Sequence, residues 1–172
     1  MKRLVVTGTL VAAALLGGCA SAPERANLGV QTPVAVARTQ PGSVHVNVPP
    51  VSAGIIAVPE AELKAAIEDS IRKSNAFREV VSAGGATYEL TVSVVTMKTP
   101  LFGISMTVDV ETAWSLVRAS DRQPVLQRTF TATHTTGGGE AFAGAVRARM
   151  ALEGAVRKTI EQGLLAIGQL SL

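Results

Sequence analysis

Cysteine is the scarcest chemistry-bearing residue of this 172-residue chain: it has one, Cys19, so no disulfide can form within a single copy. Histidine is almost as scarce, with only His45 and His134. No HExxH, no paired-cysteine spacing and no GxSxG is present, which removes the familiar metal-hydrolase, zinc-site and serine-hydrolase patterns. Six aromatic residues are spread singly: Phe77, Tyr88, Phe102, Trp114, Phe130 and Phe142. Lysine and arginine form no run, so nothing points to nucleic acid. No apolar stretch reaches the roughly 20 residues that span a bilayer. These absences argue against an enzyme, a metal centre or a bound cofactor.

The start of the chain is informative. Met1-Lys2-Arg3 is a short basic start, Leu4 to Leu16 is an apolar run, and small residues lead directly into the cysteine. That order is a secretory signal rather than a membrane span. Its ending, Leu16-Gly17-Gly18-Cys19, resembles the lipobox of bacterial lipoproteins. The resemblance implies cleavage before Cys19, lipidation of its thiol and usually acylation of the new amino terminus. Two or more acyl chains anchor stably where one does not. Ala20 stands where aspartate would favour retention at the inner membrane. The expected location is therefore the outer membrane, on its periplasmic face, held through lipid on Cys19. With Lys2 and Arg3 removed, 14 basic residues face 13 acidic ones, close to neutrality.

The remaining sequence divides near residue 43. Residues 19–43 are rich in Ser, Ala, Pro and Gln and read as a lipidated tether. As flexible chain it would span roughly 25–30 Å. Residues 44–172 read as one domain, and residues 1–18 as the signal. Val44, Val46 and Val48 alternate with polar residues as in a half-buried strand. From Glu60, Leu63, Ile67, Ile71, Ser74 and Phe77 recur at helical spacing. Acidic residues open that helix and Arg72 and Lys73 close it, as the macrodipole favours. Tyr88 to Val94 alternates again. Beyond a turn at 98–103, Ile104, Met106, Val108, Val110, Trp114 and Leu116 share one face, opposite Asp109 and Glu111. Val125 to His134 forms the next strand. Gly137-Gly138-Gly139 precedes a helix expected from about Glu140 to Ile167.

Strand, helix, three antiparallel strands and helix predict an α+β two-layer sandwich: about four antiparallel strands, covered on one face by two helices. Behind a lipobox, that order resembles small envelope lipoproteins of Gram-negative bacteria, among them the lipopolysaccharide-assembly lipoprotein, penicillin-binding-protein activators and YajG-type lipoproteins. The resemblance implies a non-catalytic binding or assembly partner, with a protein partner in the envelope. A lipid- or glycolipid-binding module is the alternative. Architecture alone fixes neither.

Two features stand out as sites. The turn Thr99–Gly103 puts Leu101 and Phe102 at a hairpin tip, where large apolar side chains suggest contact with lipid or a partner. In the last helix, Phe142, Val146, Val156, Ile160, Leu164 and Ile167 make one stripe, and Arg149 and Glu153 fall within it as a structural ion pair. Three other constellations have plainer readings. His45 and His134 suit structural roles, Asp109 and Glu111 a solvated strand face, and the triple glycine a hinge rather than an anion site, since Glu140 would repel an anion.

Overall fold

A computed structural model describes residues 22–51 and 56–172. The signal and Cys19 lie outside these residues.

Alternation builds a five-stranded sheet in the order β2-β1-β3-β4-β5. The strands are β1 (Gln40–Asn47), β2 (Phe77–Val81), β3 (Tyr88–Lys98), β4 (Met106–Arg118) and β5 (Pro124–Thr136). The sheet is mixed rather than a purely antiparallel set of four. β1 runs parallel to both β2 and β3, while β3, β4 and β5 are antiparallel neighbours. Helix α2 (Glu60–Lys73) supplies the crossover that parallel β1 and β2 require. β2 lies beside the first half of β1 and β3 beside its second half. Residues 82–87 therefore step across β1. Gly42 accommodates that step: its φ is +87°, and a Cβ there would come within 2.8 Å of Thr87.

Phe77, read as the end of a helical stripe, instead opens β2. The helix stops at Lys73, and Asn75 takes a positive φ of 48°. Helix α3 (Gly144–Gly168) starts later than the apolar periodicity implied. Glu140 is part of the turn before it, accepting the Gly137 N–H at 2.6 Å. The three glycines thus close on the chain's own carboxylate.

Helix α2 packs on β1 and β2, α3 packs on β4 and β5, and the two helices touch. They share one face of the sheet. Between them and the strands lies a filled core that includes Leu63, Ile67, Leu90, Trp114, Leu116, Leu152 and Ile160. Small residues set the helix-to-sheet distance: Gly163 lies against the Trp114 ring and Gly154 against His134. Trp114 donates its indole N–H to Thr112 at 3.0 Å, and its ring meets Phe130 edge-on at 6.1 Å. The opposite face presents Thr91, Ser93, Ser115, Thr129 and Thr131. One sheet edge is the five-residue β2. At the other, Lys158 donates to the Thr133 carbonyl at 2.8 Å and Gln162 to that of Thr131 at 3.3 Å, which blunts an edge open to pairing.

Residues 22–39 do not read as a tether with little to bury. A single helical turn, α1 (Arg25–Leu28), buries Leu28, and Val30 follows it inward. Ser70 accepts the Val30 N–H at 3.1 Å, Ser74 accepts that of Val34 at 2.9 Å, and Lys73 donates to the Val30 carbonyl at 2.9 Å. Arg157 donates to the Gly29 carbonyl at 3.2 Å, and Arg25 pairs with Asp69. Further along, Gln40 is fully buried and donates to the carbonyls of Ile167 and Leu170 at 2.7 and 3.0 Å, tying the start of β1 to the end of α3 and the residues just after it.

Candidate functional site

The hairpin tip and the approach to α3 form one end of the molecule. Leu101, Phe102 and Ile104 are 74, 85 and 83% exposed, and Phe142 is fully exposed. Sequence periodicity had put Ile104 on the core face of a strand and Phe142 on the core stripe of a helix. Each belongs instead to the segment just before its element, since β4 starts at Met106 and α3 at Gly144. The glycines ahead of each start, Gly103 and Gly137 to Gly139, are the signal that the periodicity stops short of them. Leu101 and Phe102 stand exposed at the turn where the sequence placed them.

Arg147 ties the two segments together. Its guanidinium donates to the carbonyls of Ala141 and Phe142 at 2.7 Å each, and to the Gly103 carbonyl at 3.2 Å. A cation in the first turn of a helix opposes the macrodipole, and these three acceptors offset that penalty. Ile104 packs against Gly138, where an added Cβ would meet it at 2.7 Å. Between tip and helix lies a surface hollow of about 320 Å³, lined by Pro100, Leu101, Phe102, Met106, Gly144 and Ala148 among others. The sequence did not reveal Arg147's role, because its acceptors are backbone atoms up to 44 residues away.

Arg149 and Glu153 lie where α3 meets the N-terminal segment. Glu153 is buried, and its carboxylate accepts from Asn27 at 3.5 Å and from the backbone N–H of Glu24. Burial raises its pKa, against the opposing pull of Arg149 and of these donors. Arg149 is half-buried. Glu153 thus faces the incoming chain. Lys158 and Gln162, further along α3, donate to the β5 carbonyls of Thr133 and Thr131.

The remaining candidates have local explanations. Asp109 accepts from Thr133 at 2.6 Å on the polar sheet face, with Lys98 opposite it across the strand pair. His134 is partly buried under α3, and burial lowers its pKa, as do the charges of Lys158 and Arg157. His45 is half-buried on β1. No group of three or more His, Cys, Asp or Glu suited to a metal occurs among the described residues. No helix among them is long and apolar enough to cross a membrane.

No family model matches the chain, and no curated protein does. Its fold is shared by solved structures. The Xanthomonas campestris protein XCC0632, of the family DUF330, superposes with a TM-score of 0.59 at 18% identity, over 82% of this chain and 93% of that one. The Chlamydia trachomatis protein CT253 gives 0.51 at 9% identity, over 74% and 98%. A minor lipoprotein from Acinetobacter baumannii gives 0.47 at 9% identity, over 73% and 90%. At these identities the first two superpositions show a likeness of fold alone.

Proposed function

We propose that this is a lipid-anchored envelope lipoprotein on the periplasmic face of the outer membrane, working by contact, as a binding or assembly component, without catalysis. The observation that carries the reading is a set of large apolar side chains exposed at one end of a domain whose described core between helices and sheet is filled. Leu101, Phe102, Ile104 and Phe142 stand exposed together, whereas Trp114, Leu152, Ile160 and Leu164 fill the space between helices and sheet. Exposed apolar patches rimmed by polar surface mark contact sites. A lipid-carrying module would instead keep an apolar hollow between its layers. The lipobox Leu16-Gly17-Gly18-Cys19 supplies the address and anchor.

Metabolic labelling with alkyne-palmitate, followed by membrane fractionation, tests the reading. The parent should carry label and fractionate with outer membranes, and Cys19→Ser should lose both, because a hydroxyl does not replace the thiol as lipid acceptor. A serine variant still in the outer-membrane fraction after a high-salt wash would overturn it.

A further inference from the structure

We propose that the apolar end formed by Leu101, Phe102, Ile104 and Phe142 is seated in the phospholipid bilayer that holds the lipid on Cys19. The proposal deepens the lipoprotein reading and rests on it.

The length of chain before the domain decides the geometry. The chain is fastened from Glu24 onward: the Glu24 N–H meets Glu153, the Arg25 N–H donates to Glu62 at 2.9 Å, and Leu28 is buried. Five peptide links separate Cys19 from Glu24, so the cysteine lies within about 17 Å of that point even at full extension. Glu153 is nine residues from Gly144, the start of α3, or about 14 Å along the helix axis. The apolar end gathers around that start, held by the Arg147 contact to Gly103. In the other direction, Gly168 is 15 residues from Glu153, or about 22 Å. Cys19 itself can thus come level with the apolar end, and it falls about 5 Å short of the far end of α3.

The β3–β4 tip projects at this same end, and the β4–β5 turn near Ser120 lies at the other end of the 13-residue β4. An interfacial element buries its apolar groups about 5–10 Å into the boundary between headgroups and acyl chains, a depth that suits large side chains gathered at one end of the domain. A long tether would let either end of the domain meet the membrane equally well; five links favour the apolar end. The polar threonine face then stands beside the membrane, and the β4–β5 turn points away from it.

The test uses the full lipidated chain in vesicles of phosphatidylethanolamine and phosphatidylglycerol. Because Cys19 is thioether-linked, Phe102→Cys supplies one free thiol for a bimane label, and Ser120→Cys supplies the reference at the opposite turn. Spin-labelled phosphatidylcholine in the bilayer should quench the label at 102 at least about twofold more than at 120, given the shallow depth expected. Equal, weak quenching at both positions in vesicle-bound protein would overturn the proposal and leave the anchor reading standing. A label at 102 that resists quenching but shifts with protein concentration would replace the bilayer by a second copy of the chain. Failure of the protein to co-sediment with vesicles would overturn the anchor, and the orientation with it.

Discussion

Among the described residues, burial is the main perturbation of two titratable side chains, Glu153 and His134, and their effects on stability have opposite signs. Burial raises the Glu153 pKa above its ordinary 4.5. In the window above 4.5 the folded chain then holds more protons than the unfolded one, so stability falls as pH rises through it. Burial lowers the His134 pKa below its ordinary 6.5. In the window below 6.5 the unfolded chain holds more protons, and stability is lost as pH falls through it. The two windows run toward each other and partly cancel. Glu153→Gln keeps an amide oxygen for Asn27 and Glu24 and removes one term. We expect its stability to climb with pH more steeply than the parent's between 4.5 and 6.5, the ordinary values of the two groups. His134→Gln should do the reverse. Denaturant midpoints across that range check both. Parallel profiles for parent and Glu153→Gln would show that burial leaves the carboxylate's titration unchanged. His134 is only partly buried, and the donors and Arg149 around Glu153 oppose the effect of its burial, so the slopes will be modest.

At the scale of elements, small residues decide how α3 sits on the sheet. A Cβ at position 163 would lie 2.6 Å from the Trp114 ring, closer than side chains tolerate. Gly163→Ala gains about 1 kcal/mol of helix propensity but overpacks a site where such insertions cost about 1–3 kcal/mol. We expect a net loss of stability, with a changed Trp114 emission as the sign of a displaced ring. A stabilised variant with unchanged emission would mean that the helix moves aside freely. These contacts also show what the sequence made legible. Alternation in β3, β4 and β5 and the stripe of α2 are direct consequences of one-sided burial, so those elements could be read from spacing alone. β2 could not: Phe77 continues the helical spacing of α2, and Arg78 and Glu79 break any alternation in a five-residue strand. Parallel pairing of β1 was equally hidden, because a βαβ crossover and a hairpin order can share the same string of elements. The segment 22–39 has tether composition, yet Leu28 and Val30 enter the core through contacts to residues about 40 and 130 positions away. Leu101 and Phe102 were legible because an apolar pair at a turn is conspicuous locally. Ile104, Phe142 and Arg147 join them only once the fold brings Gly103 beside α3.

At the scale of the whole molecule, the apolar end should be separable from stability. Truncation of a large core hydrophobe costs about 2–5 kcal/mol, whereas an exposed one costs within about 0.5 kcal/mol. Leu101 and Phe102 are mostly exposed and lie outside the cluster that holds β4 against α3. The double change Leu101→Ser with Phe102→Ser should therefore leave the thermal midpoint within about 4 °C of the parent, given that 1 kcal/mol shifts a domain of this size by about 2–4 °C. The same change should alter behaviour in solution. Produced from Ala20 onward, and so released from any lipid on Cys19, the domain presents four large apolar side chains to water, a surface that invites association. Light scattering of that released form should show self-association rising with concentration, and the double serine change should suppress it. A midpoint lowered by many degrees would assign Leu101 and Phe102 to the core. An unchanged midpoint with undiminished association would place the sticky surface elsewhere, with the β5 edge beside Lys158 and Gln162 the next place to probe. Only an unchanged midpoint with suppressed association fits an end of the molecule built for contact rather than for holding the fold together.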